Sequence, residues 1–146
     1  MIQIRKDASA IMKYEDIKIG DKAAIEKTFT SEDVFTFSEV SADINPLHLD
    51  EEYAKNSLFG KRIVHGMLTA SLISAVLGTK LPGENTLYLS QSLKFTHPVY
   101  IGDHCVAEVE VISKRDDKKM LTLKTTVTTN NGDTEVIVGE AIVKKM

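Results

Sequence analysis

Gly66-Met67-Leu68-Thr69-Ala70-Ser71-Leu72-Ile73-Ser74-Ala75-Val76-Leu77-Gly78 is the most apolar stretch of the chain. Met67, Leu68, Ala70, Leu72, Ile73, Ala75, Val76 and Leu77 put apolar side chains on nearly every side of a helix over residues 67–77. A helix apolar all round belongs inside a protein. Its 13 residues are too few to cross a bilayer, which takes about 20. Something else in the chain must wrap it. Gly66, Ala70, Ser74 and Gly78 recur at i, i+4 spacing and are all small. Such a stripe permits close packing against a sheet or admits a slender ligand.

The wrapper lies downstream. Residues 86–96, 104–113, 120–129 and 134–143 read as strands. In the second, Cys105, Ala107, Val109 and Val111 face one way while His104, Glu108 and Glu110 face the other, the period of a half-buried strand. Asp116-Asp117 and Asn131-Gly132 punctuate the strands, and Asn-Gly is a strong hairpin signal. Four antiparallel strands plus one earlier strand can curl around the helix. The fold class is α+β, an antiparallel β-sheet wrapped around a central buried α-helix.

Upstream, the pattern is helical. Ser31 reads as an N-cap, with Glu32 and Asp33 in the first turn where the helix dipole favours acids. Asn45-Pro46 should end that helix, because the residue before proline is pushed out of the α region. Asp50 caps another short helix, closed by Phe59-Gly60. The chain reads as one domain over residues 1–146, with residues 1–12 as a possible N-terminal extension.

Composition excludes several classes. The 146 residues carry a net charge of −3, which argues against a nucleic-acid binder. Cys105 is the sole cysteine, so no intrachain disulfide forms. The N-terminus has no apolar core of a signal peptide, and the expected setting is cytoplasmic, without membrane attachment. There is no HExxH or CxxC spacing, and His104 and Cys105 point to opposite faces of a strand, so no metal site is expected.

Asp43-Ile44-Asn45-Pro46-Leu47-His48-Leu49-Asp50 carries the chemistry. A proline turn can bring Asp43 and His48 to one side, where both touch one water. Such a pair suits general acid–base work, because histidine titrates near neutrality. The residues also allow a plainer reading: Asp43 and Asn45 as Asx-turn formers and His48 as a satisfied, partly buried histidine. In the second informative segment, Gly66 opens the apolar helix, whose first N–H groups lack intrahelical partners. Those groups suit a developing oxyanion, or the glycine serves close packing alone. His65 reads best as a histidine supporting the loop, and His97 as a turn residue before Pro98.

Asp43-x-Asn45-Pro46-x-His48-x-Asp50, followed by Phe59-Gly60-x-x-Ile63-Val64-His65-Gly66-Met67, resembles the MaoC-like (R)-specific enoyl-CoA hydratases of the hotdog fold. The similarity continues through Leu81-Pro82-Gly83, Gln91-Ser92-Leu93 and Gly102-Asp103, and is closest to the short members linked to polyhydroxyalkanoate supply. The resemblance implies a hydro-lyase that adds water, syn, to a trans-2-enoyl-CoA to give an (R)-3-hydroxyacyl-CoA. Asp43 and His48 match the family's catalytic pair, Gly66 its thioester-carbonyl contact, and Ser74 a polar residue of the central helix bordering the site. The helical segment carrying Asp43 and His48 then overhangs the sheet. The resemblance also implies no cofactor beyond the substrate's CoA, and a homodimer with the acyl pocket near the interface. Lys61, Arg62 and Lys94 are candidate contacts for CoA phosphates, which the sequence does not rank. A hotdog thioesterase and a non-catalytic acyl-thioester-binding module are the competing readings.

Overall fold

Cys105, Ala107, Val109 and Val111 are fully buried, so the alternation read in the sequence does face a core. The computed structural model describes residues 12–146. The extension expected over residues 1–12 therefore lies outside the described residues, except for Met12. Six strands form one antiparallel sheet: β1 (Lys22–Thr28), β2 (Thr86–Gln91), β3 (Lys94–Phe95), β4 (His104–Arg115), β5 (Met120–Thr129) and β6 (Thr134–Lys145). The strand order is β1-β4-β5-β6-β2, with β3 also pairing to β6. The stretch read as one strand over residues 86–96 is thus two. Both run along the same edge of β6, and at the break between them a Cβ on Gly139 would sit 1.9 Å from the Ser92 carbonyl oxygen. Only glycine permits that approach.

The apolar helix is α4 (Gly66–Thr79), and it packs on β1, β4 and β5. Ile73, Val76 and Leu77 are completely enclosed, with Leu121, Leu123 and Ala141 of the sheet in the same core. Full enclosure of the helix is not observed. The sheet covers one side, and Met67, Ser71, Ser74 and Gly78 remain exposed on the other. The reason is the small, partly polar composition of that stripe, which has too little apolar surface to demand cover within the chain.

Between β1 and α4 lie three further helices: α1 (Ser31–Ser41), α2 (Pro46–Leu49) and α3 (Glu51–Lys55). Two expectations need correction here. The cap of α1 is Thr30, not Ser31. Thr30 Oγ1 accepts from Asp33 N, and the Asp33 carboxylate accepts from Thr30 N. Thr30 wins because Asp33 sits three residues beyond it, completing a reciprocal box. Nor does Asn45-Pro46 end α1. That helix stops at Ser41, with Ala42 in the left-handed region at φ 67°. Asn45-Pro46 instead starts α2: Asn45 Oδ1 accepts from Leu47 N, and Pro46 fills the first turn, where its missing N–H costs nothing. Asp50 caps α3 as expected, accepting from Tyr53 N.

Candidate active site

Arg62 holds the overhanging segment together. Its side chain is buried, donating from Nε to His48 O at 2.6 Å and from Nη1 to Ser31 Oγ at 3.0 Å. The same Nη1 pairs with Glu51 at 3.3 Å. One guanidinium thus ties the start of α1 to the end of α2 and the start of α3. Its rigid fork suits it to several acceptors at once. Arg62 is therefore enclosed inside the protein, its Nη2 buried without a partner, and does not reach out to a CoA phosphate.

His48 sits on α2 and is 7% exposed. Its Nδ1–H donates to Ile63 O at 2.8 Å. A carbonyl can only accept, so the proton is on Nδ1 and the lone pair is on Nε2. Asp43 follows the left-handed Ala42. Its own N–H donates to Ser41 Oγ at 3.1 Å, and its Oδ1 accepts from Asn45 N at 3.3 Å. The Asx-turn reading thus holds for Oδ1, which shapes the turn and leaves the acid–base reading to the second carboxylate oxygen.

His65 joins them. It is buried directly before α4, and its Nε2–H donates to Asp43 O at 3.2 Å with Ser38 Oγ 3.0 Å away. Its ring stacks on His48, centroids 3.9 Å apart, with the Phe37 ring edge-on at 4.8 Å. His65 therefore supports the loop, as expected, and also fixes the main chain of Asp43 and the plane of His48. Burial pushes its pKa below the usual 6.5, which keeps the imidazole neutral. Its Nδ1 is buried without a partner.

The acidic oxygen and ring nitrogens of Asp43, His48 and His65 lie within 4.8 Å of one another. A single water spans a gap of that size with a hydrogen bond to each side. These are also donor types that hold metals. The two rings, however, are only 28° from parallel, so their lone pairs run side by side rather than converging on one point.

Asp43, His65 and Gly66 line one cavity of about 530 Å³, together with Met67, Phe95 and Val99 among others. Gly66 opens α4, and no side chain caps that first turn. Its N–H and the helix end are suited to negative charge. The Phe95 ring lies against Gly66, where a Cβ would meet Cε1 at 2.7 Å. The structure thus puts Asp43 and Gly66 on one cavity, with the His48 ring stacked on His65 and not among the residues that line it. Ser74 is not with them: it lines a neighbouring cavity on the open face of α4. Sequence reading did not anticipate Phe95 or the Arg62 clamp. An isolated buried arginine carries no spacing signal, and Phe95 matters only because β3 lays it across α4.

A family model described as "MaoC like domain" matches residues 16–132. The chain is 47% identical over 133 residues to an (R)-specific enoyl-CoA hydratase of Aeromonas caviae, covering 91% of this chain and 98% of that relative. It is 43% identical over 134 residues to a 3-hydroxybutyryl-CoA dehydratase of Methylorubrum extorquens, covering 92% of this chain and 84% of the relative. Among solved structures, the (R)-hydratase of A. caviae involved in PHA biosynthesis superposes with a TM-score of 0.87 at 45% identity, covering 90% of this chain and 99% of that one. An R-hydratase of Pseudomonas aeruginosa in unliganded form also gives 0.87, at 40% identity, covering 92% and 85%.

Proposed function

The chain belongs to the MaoC-like domain family, and from that premise we propose how its site works as an (R)-specific enoyl-CoA hydratase. It is a hydro-lyase acting on acyl-CoA, by identity of 47–48% to two such hydratases over about nine tenths of the chain. The observation that carries the mechanism is the tautomer of His48. With Nδ1–H committed to Ile63 O, Nε2 is left as an acceptor, and the His48 ring and the Asp43 carboxylate offer atoms within 4.8 Å of each other.

A water held between Asp43 and His48 adds its oxygen to C3 of the enoyl thioester, and the pair takes its proton. Charge moves to the thioester oxygen as the enolate forms. The Gly66 N–H and the start of α4 stabilise it there. The pair then returns a proton to C2 on the face from which water came, which gives syn addition. Atoms balance with no cofactor. Closely coupled groups share their proton, so the pair rather than one residue is the base. His65 is a positioning residue that holds Asp43 and the His48 ring, and it also lines the cavity.

The hydratase exists as a homodimer in this reading. β2 is an edge strand, and Leu87, Tyr88 and Leu89 on it are exposed, a row that solvent disfavours and a second copy would cover. The unpaired Cys105 fits the expected cytoplasmic setting. Loss of enoyl-thioester absorbance with crotonyl-CoA tests the chemistry. Hydration by wild type with loss in Asp43→Ala and His48→Ala supports it. Release of free CoA without hydration would support the thioesterase reading instead. A monomer at micromolar concentration in solution scattering would overturn the dimer.

A further inference from the structure

Arg62 and Ile63, neighbours in the chain, hold His48 at both of its ends. Arg62 Nε donates to the His48 main-chain oxygen at 2.6 Å, and the Ile63 main-chain oxygen accepts from His48 Nδ1 at 2.8 Å. We propose that Arg62 is a positioning residue for the hydration step: it clamps α2 so that the His48 ring meets Ile63 O, and losing its planar fork slows the reaction while substrate binding and the fold stay in place. The proposal rests on the hydratase reading and adds a residue to that same site.

The Ile63 end of this grip is fixed. Ile63 forms a bridge with Tyr100, and Val64 N donates to Val99 O at 2.7 Å, so Ile63 O is aimed from a rigid base. α2 has no such base. It is a single turn of four residues, too short to persist by propensity. Any error in where it sits moves the His48 ring. The Arg62 side chain removes that freedom. Its Nη1 donates to Ser31 Oγ at 3.0 Å, and its Cζ lies 5.0 Å from the centre of the Phe35 ring. Ser31 and Phe35 are four residues apart, on one face of α1. α1 thus holds the guanidinium that holds α2. Contacts from two nitrogens of one rigid plane fix direction as well as distance. A lysine ammonium, a single nitrogen on a flexible stem, does not replace them. Stability does not account for the residue. Arg62 is buried, its Nη2 has no partner, and the side chain of its acidic partner Glu51 is 75% exposed. A buried charge so poorly compensated adds little to stability. What it supplies is the placement of His48.

The test measures kcat and KM for crotonyl-CoA in full-length Arg62→Met and Arg62→Lys, with the His48 ring nitrogens followed by nitrogen NMR. Arg62→Met should lower kcat about 10- to 100-fold, the cost of a misplaced catalytic group, and leave KM within about twofold. Its unfolding midpoint should stay near that of wild type. Arg62→Lys keeps the charge and should still lose about tenfold in kcat. In both variants the His48 ring should pass from the Nδ1–H tautomer alone to a mixture of the two. Full kcat in either folded variant would overturn the proposal. A rise in KM alone would overturn it as well. So would a fall in kcat with the His48 tautomer unchanged, because Arg62 would then not act through His48. Should Arg62→Met fail to fold, Arg62→Lys decides by the same readings; failure of both to fold would make Arg62 a residue of the fold and overturns the proposal too. No hydration by wild type would remove the hydratase reading, and with it the step that Arg62 serves.

Discussion

The overhang over residues 41–65 and the layer of α4 on its sheet are held by different forces. The α4 layer is apolar, with Ile73, Val76, Val109 and Leu121 enclosed and no single bond deciding its shape. The overhang contains helices of four and five residues, too short to stand by propensity. A few polar atoms hold it: Arg62 on His48 O, His48 on Ile63 O, and His65 on Asp43 O. Burial makes the fold, and aimed hydrogen bonds make the site. A loss in the first region should appear as stability, and in the second as activity.

That division can be broken at several points. The largest expected effect is Asp43→Ala or His48→Ala, each lowering kcat by about 10²–10⁴-fold, the usual worth of a general acid–base group. Circular dichroism should show the fold retained. An unfolded Asp43→Ala would mean that the exposed carboxylate carries more of the structure than its turn bond indicates. Next, Ile73→Ala empties the sealed centre and should cost about 2–5 kcal/mol in denaturant unfolding. Its kcat at low temperature should stay near wild type if the two regions are separable.

His65 lies on the border and sharpens the comparison. Its folded pKa is depressed by burial. Below about 6.5 the unfolded chain takes up a proton that the folded one refuses, so stability rises with pH there. The contribution is complete above that pH and is lost as pH falls toward the depressed value. His65→Phe should flatten this slope while keeping a ring against His48. It should also lower kcat about tenfold, because Asp43 loses its main-chain anchor. A flat wild-type profile just below about 6.5 would contradict the neutral assignment. The smallest effect is Thr30→Ala, which opens the α1 box and should cost about 1 kcal/mol with activity unchanged.

The same contrast decides what the sequence revealed. The sheet was legible because Cys105, Ala107, Val109 and Val111 alternate and burial rewards alternation. α4 was legible because its apolar run has no other home. Asp43, His48 and Gly66 were singled out through motif spacing, and the structure puts Asp43 and Gly66 on one cavity with His48 stacked on His65 beside it. Thr30-x-x-Asp33 held a readable cap signal that the neighbouring Ser31 obscured. Asn45-Pro46 was read as a stop because proline ends helices more visibly than it begins them. The open face of α4 carries Ser74 and Gly78 of the small stripe visible in the sequence. His65 was legible as a support of the loop, but its partner was not, and Arg62 was not legible as an anchor at all. Their partners are main-chain carbonyls of Asp43 and His48, and no spacing encodes where a fold will aim a carbonyl.

The central claim is that Asp43 and His48 deliver water to C3 on one face. The stereochemistry of the product from crotonyl-CoA tests it most directly. Chiral analysis after incubation with wild-type enzyme should give (R)-3-hydroxybutyryl-CoA alone, and neither Asp43→Ala nor His48→Ala should form it at more than about one hundredth of that rate. The (S) product, a racemic mixture, or undiminished formation by a folded dyad variant would contradict the account.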